Sequence, residues 1–279
     1  MTSTTQQITE PRITVPLRIT PVFAAARNGA YWRLVERNAR LFSRIWFVFV
    51  SGFFEPFFYL LSIGVGVGSL VSGLNVGGHV YSYASFVGPA LMATAAMNGA
   101  MADATFNLYF RLKISKLYDS VLVTPMTAMD VALGELTWAM LRGSTYSLAF
   151  LVIMWPMGLL HSGWAILAWP MASLVGFAFA GVGMAATTYL RSWIDFEYIQ
   201  IATMPMFLFS ATFFPVERYP DAVGWIVRIT PLYQGVAAIR ELTLGQLGWQ
   251  VLIAAVYLGA MGLVGLALAG RRFEKLLLH

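Results

Sequence analysis

Six apolar stretches, each near or above the ~20 residues that a helix needs to cross a bilayer, constrain this chain most. They run roughly from Ile45 to Val71, Tyr83 to Phe106, Val131 to Leu160, Trp164 to Leu190, Phe196 to Phe214 and Trp249 to Ala269. Lipid offers backbone N–H and C=O groups no partner, so a crossing segment satisfies them internally, and a helix is the default. The sequence therefore predicts an all-α membrane protein with six transmembrane helices. Composition agrees: 58% of the residues are hydrophobic and 11% charged, too few charges to cover a water-soluble surface. Cysteine is absent, which excludes disulfides, thiolate nucleophiles and thiolate metal sites. His79, His161 and His279 stand far apart, so no metal site and no cofactor is expected in the chain.

Orientation follows from Lys and Arg. With the N-terminus inside, Arg12, Arg18, Arg27, Arg33, Arg37, Arg40 and Arg44 precede the first stretch on the cytosolic side. Arg111, Lys113 and Lys116 follow the second stretch, Arg191 the fourth, and Arg271, Arg272 and Lys275 the sixth. Outside remain Arg218, Arg228 and Arg240. Both termini are thus expected in the cytoplasm, with the chain in the plasma (inner) membrane. Residues 1–27, polar and broken by Pro11 and Pro16, read as a cytosolic flexible tail, and 28–279 as one transmembrane domain. The partner surface for the basic residues is the bilayer; no nucleic acid is expected.

Two segments depart from plain spans and loops. In residues 29–44, Arg33, Arg37, Arg40 and Arg44 recur at helical spacing, while Tyr31, Leu34, Val35, Leu41 and Phe42 lie mainly on the other side. That pattern predicts an amphipathic interfacial helix, against the alternative of a cytosolic extension of the first span. Residues 214–247 mix prolines, aromatics and a short amphipathic stretch. They are too polar to span alone. They read as a re-entrant outer segment before the last span, its backbone shielded by protein, against the alternative of a surface loop.

Three further stretches carry a resemblance: Glu55-Pro56 with the FFYLLSIGVGVGSLV that follows, LYDSVLVTPMTAMDVALGEL from Leu117 to Leu136, and FSATFFPVERYP from Phe209 to Pro220 followed by TPLYQGVAAIREL. Together, in this order against six spans, they resemble the type-2 class of ABC exporter permeases. The likeness is strongest to the nodulation-factor branch, whose members work with a separate ATPase to export lipo-oligosaccharide. Related branches export drugs, polysaccharides and teichoic-acid-like polymers. The resemblance implies a non-catalytic membrane subunit that pairs with a second permease, a copy or a paralogue, the first and fifth spans lying near the axis. It places ATP and Mg on cytosolic partner ATPases. The chain itself has no G-x-x-x-x-G-K-[ST] loop, the motif that cradles nucleotide phosphates. The resemblance also aligns Arg111 to Pro125 with the family's coupling helix. Arg111, Lys113, Lys116, Leu117, Tyr118 and Asp119 are then expected to meet the ATPase, with Tyr118 as the aromatic anchor.

Polar residues in the spans supply candidates for the translocation path or its gate: Glu55, Tyr59, Asn98, Ser210 and Thr212. Glu55 is either a gate position or an interfacial carboxylate, since a charge at the bilayer centre costs about 2.5–3.5 kcal/mol. Asn98 either lines a path or bridges helices, and Ser210 and Thr212 share that ambiguity. Glu135, seven residues from Arg142 on the same face, is too distant to pair with it directly; Gly143 to Leu160 alone nearly span a bilayer, so Arg142 is read as snorkelling to the inner surface. Two other classes of membrane protein fit the sequence less well. A proton-coupled secondary transporter wants ionisable residues buried in several spans, and only Glu55 and Arg142 qualify. A membrane-embedded lipid- or glycan-modifying enzyme wants clustered acids at one face, and Asp119, Asp130 and Glu135 match no catalytic spacing.

Overall fold

The computed structural model describes residues 29–43, 54, 57–68, 70, 71, 73–76, 78–121 and 123–277. Helix α1 spans Trp32–Ser43, and a wide π-helical turn covers Ser62–Val67. A two-stranded antiparallel hairpin follows, β1 Leu74–Val76 and β2 His79–Tyr81, with Leu74 opposite Tyr81. Gly78 turns it with φ +86°, a conformation that glycine adopts without steric cost. Helix α2 is Tyr83–Ala102 and continues through π turns at Asp103–Asn107 and Phe110–Ile114. Next come α3 Leu117–Val121, α4 Ala128–Met154, α5 Ala168–Thr187 and α6 Phe196–Leu208. The chain closes with α7 Asp221–Ile229, α8 Pro231–Leu244 and α9 Gln250–Leu277.

Local signals set several of these ends. Thr127 and Asp130 cap α4 reciprocally, each side chain holding the other's backbone N–H, which satisfies donors that the first turn leaves free. Ser82 caps α2 through Ser85 N at 3.1 Å. Pro231 opens α8 and Gly245, with φ +81°, closes it, the usual asymmetry of helix ends.

Three helical segments among the described residues are long and apolar enough to cross a bilayer: Ala128–Met154, Gly163–Thr187 and Gln250–Leu276. They match the third, fourth and sixth expected spans. Helices α7 and α8 together would make a fourth, but they meet at 85°. The second expected span is helical as read, though Gly88, Pro89, Asn98 and Gly99 dilute its apolar character. Of the first, residues 45–53, 55, 56 and 69 lie outside the described residues, Glu55 among them, as does Arg44 before it. The fifth differs from expectation. Helix α6 has 13 residues, about 20 Å at helical rise, because the chain turns beyond Pro205 and Ala211 takes a left-handed φ of +54°. The hairpin is a small addition that the all-helical reading did not foresee.

Packing rests on small residues. A Cβ added to Gly143 of α4 would overlap Ala96 O of α2, and one on Gly181 of α5 would sit 2.7 Å from Gly262 O of α9. Glycine at such points lets main chains touch, which is how helices associate where lipid supplies no hydrophobic drive. One core cluster joins α2, α4, α5, α8 and α9; a second gathers around Leu34, Tyr118, Leu136 and Phe273. Gly265→Val is expected to force α9 off α5. It should destabilise the protein by about 1–3 kcal/mol, the usual cost of overpacking, read as a lower Tm of the detergent-solubilised chain.

Candidate functional site

The basic segments, scattered in sequence, converge at one end of the bundle. Helix α1 packs on α4, where a Cβ at Gly134 would crowd Leu34 and Tyr31 O. Tyr109 donates to Arg191 O at 3.3 Å. Tyr118 lies 6.3 Å from the Phe273 ring, centroid to centroid, and Arg272 stacks 4.1 Å over Tyr189. The opposite end holds the hairpin, tied to the α8–α9 loop by Gln246 Nε2 donating to Val76 O at 2.9 Å.

A charge cluster sits just inside the basic end. Arg142 Nη1 of α4 meets Asp103 Oδ2 at 3.1 Å. Arg111 bridges two acids, reaching Asp103 Oδ1 at 3.6 Å and pairing closely with Glu135 Oε2. Asn107 Nδ2 donates to Asp103 Oδ1 at 2.5 Å, and Asn38 Nδ2 of α1 donates to Glu135 Oε2 at 3.3 Å. Asp103 and Glu135 are buried, and the two arginines nearly so. Two cations balance two anions, as burial requires. Phe42 lies 4.7 Å beneath the Arg142 guanidinium, an added cation–π contact. The π turns matter here: Asp103, Asn107 and Arg111 project from one widened face of the helix, and such turns recur at functional sites.

The segment that follows has two faces. Its inner face is fixed. Tyr118 is 1% exposed, and burial, with Glu135 next to it, drives its phenol well above the usual tyrosine range, while Arg111 pulls the other way. The hydroxyl faces Arg111 and Glu135 without reaching hydrogen-bond geometry. For Arg111, burial acts to lower the pKa, but Glu135, Tyr118 and Asp103 outweigh it and the value is raised. Leu117 packs against the second core cluster. The outer face shows Lys113, Ile114, Ser115 and Lys116, then Val123 to Pro125, all exposed. Lys116 breaks the helix with a left-handed φ of +45°.

Several sequence expectations change. Tyr118 is not an exposed anchor: it is a core residue holding α3 to α9. Arg111 likewise points inward. Arg142 does not snorkel; Asp103 holds it, a partner that the reading along one helix missed because it lies across the interface. Ser210 and Thr212 are buried in the turn after α6, bonded to each other at 2.7 Å and to Phe207 O, so they lock a turn rather than line a path. Asn98 is exposed and makes no side-chain hydrogen bond among the described residues. Tyr59 is 47% exposed. Arg33 and Arg40 are exposed along α1, and Arg37 is partly covered. Asp119 lies in α3.

The ABC-2 type transporter family profile matches residues 29–244, which takes in both the charge cluster and the bent α7–α8 pair. The chain belongs to the ABC-2 type transporter family. It is a membrane permease of that family, as the three sequence motifs indicated. It is 30% identical over 229 residues to Nodulation protein J of Rhizobium meliloti (strain 1021), covering 80% of this chain and 85% of that protein. Nodulation protein J of Rhizobium leguminosarum bv. viciae is 28% identical, over 79% of this chain and 86% of its own length. That of Azorhizobium caulinodans is 26% identical, over 82% and 92%.

The charge cluster of this ABC-2 permease makes a measurable statement. Asp103→Ala or Arg142→Ala alone strands a buried charge and should cost about 3–5 kcal/mol. The double variant should cost clearly less than the sum. Thermal unfolding of the three variants in detergent gives the cycle; strict additivity would show that the pair is not coupled.

Proposed function

We propose that this ABC-2 permease is the membrane half of an ATP-driven exporter. Its basic end faces the cytosol of a cell bounded by the plasma (inner) membrane and rests on separate ABC ATPase subunits, which carry ATP and Mg. The cargo suggested by the resemblance is a lipid-linked glycan or lipo-oligosaccharide, with a hydrophobic drug as the other class. A second permease, a copy or a paralogue, completes the path.

The observation that carries this reading is the two-sided segment from Phe110 to Pro125. Its inner face is tied through Arg111 to α2 and α4 and through Tyr118 to α9. Its outer face offers Lys113, Ile114, Lys116 and Val123, which is 87% exposed. A mixed basic and apolar surface on a stiff footing suits a partner that must push on the bundle. A solvated connector would have no use for that footing.

Other features support the wider reading. The basic segments share one end, as the positive-inside rule asks. The six crossings would be the sequence segment 45–71, α2, α4, α5 with its leading 3-10 turn, α6 and α9. The short α6 would be met by local thinning of the bilayer. The 85° bend between α7 and α8 suits a segment that dips back from the outer face. Helix α6 buries none of its residues within the chain, and Tyr198, Ile201 and Met204 stand well exposed. That apolar face suits the second permease.

Two tests bear on this. The chain has no cysteine, so a single cysteine at Asn75 should react with an impermeant thiol reagent on intact cells, and one at Ser115 should not; labelling of Ser115 from outside would reverse the orientation. Reversing Lys113 and Lys116 to Glu should weaken co-purification of the ATPase by about tenfold through lost charge complementarity, and cargo efflux should fall with it. Tyr118→Ala should instead lower the Tm. Normal ATPase retention and efflux in the charge-reversed protein would sink the coupling role.

A further inference from the structure

At the end of the bundle opposite the charge cluster lies a cavity of about 200 Å³. Arg240, Glu217, Glu241, Tyr233 and Gln246 line it, with apolar walls from residues such as Val216. Arg240 is 9% exposed. Its Nε donates to Phe86 O at 3.2 Å and its Nη2 to Ala211 O at 2.9 Å, and its guanidinium carbon sits 3.8 Å above the Phe86 ring. These contacts bolt α8 to α2 and to the turn after α6. They use two of the five donors that a guanidinium carries. Among the described residues Arg240 forms no ion pair, although two carboxylates line the same space. Glu241 is turned to the start of α9, where it accepts from Gly248 N at 3.0 Å and faces Val251 N, so Glu217 is the carboxylate left open. Gln246 spends its amide nitrogen on Val76 O and Tyr81 Oη, which leaves its amide oxygen open.

The cavity therefore presents unspent donors and unspent acceptors side by side, with an aromatic ring on its wall. An anion would find Arg240 but face Glu217 and Glu241; a cation would meet the reverse. A hydroxyl both donates and accepts. A ligand with adjacent hydroxyls can take protons' worth of bonding from the guanidinium and give its own to the open carboxylate without bringing charge into the site. The apolar edge of such a ring lies naturally on Tyr233 and Val216. The volume is below the ~300–1,000 Å³ of drug-sized sites, which fits one ring unit of a longer molecule.

We propose that this cavity binds an uncharged saccharide unit. Its place in export, as a subsite near the outer exit, rests on the exporter reading above; the binding itself does not. The probes are lactose, maltose and cellobiose at millimolar concentration, added to the purified full-length permease in detergent without any ATPase. Saturation-transfer NMR should show transfer to sugar ring protons. Glu217→Gln should weaken it by about tenfold, the loss that one hydrogen bond to a charged group accounts for. Glu217 is exposed, so the variant should melt like the parent, which separates lost binding from lost folding. Equal binding by the variant, no transfer to any of the three sugars, or displacement of the sugar by inorganic sulfate would each overturn the proposal. Sugar binding by a permease that retains no ATPase would count against the exporter reading and leave this one standing.

Discussion

Charge neutrality in a buried place governs the basic end of this permease. Glu135 and Arg142 come from α4, Asp103 and Arg111 from the two π turns that continue α2, and Asn38 of α1 completes the set. Each is costly where it lies and tolerable only because the others lie there too. The cluster therefore fixes the relative position of α1, α2 and α4 in a way that apolar packing alone would leave adjustable. The segment carrying Lys113 and Lys116 starts from this anchor point, so its direction follows from the ion pairs.

Much of the fold could be read from the chain. The long helices α5 and α9 follow from sustained apolar runs, α4 from one broken by Glu135 and Arg142, and α1 from arginines at helical spacing. The bend between α7 and α8 was foreshadowed by Thr230-Pro231 in a stretch too polar to cross. Other features left no local mark. The end of α6 depends on Ala211 in a left-handed conformation, which no one would place on an alanine. The π turns at Asp103 and Arg111 have no sequence signature, yet they decide which side chains share a face.

The candidate site was legible as a segment and misread in its facing. Alternating charge and apolar residues from Arg111 to Pro125 announced an amphipathic piece, but periodicity cannot say which side meets the protein's own interior. Tyr118 illustrates the difficulty: an aromatic in a basic segment looks like an anchor for a partner, and it is an anchor for Phe273. Asp103 and Arg142 lie 39 residues apart, and a single sequence holds no record of such a pairing. Arg240 was counted by charge alone as an outer-loop arginine, and its burial over Phe86 emerges only from the packing of α8 on α2.

The glycine contacts between α5 and α9 have a mechanical consequence. Where Gly181 meets Gly262 and Gly265, main chain rests on main chain, and there is no side chain whose rotamer could flex to absorb a displacement. Helices α5 and α9 are thus joined like two bars of one frame, stiff in shear at that height. Motion in the protein has to be taken up elsewhere. Helix α6, none of whose residues is buried among the described residues, has no such main-chain joint to a neighbour.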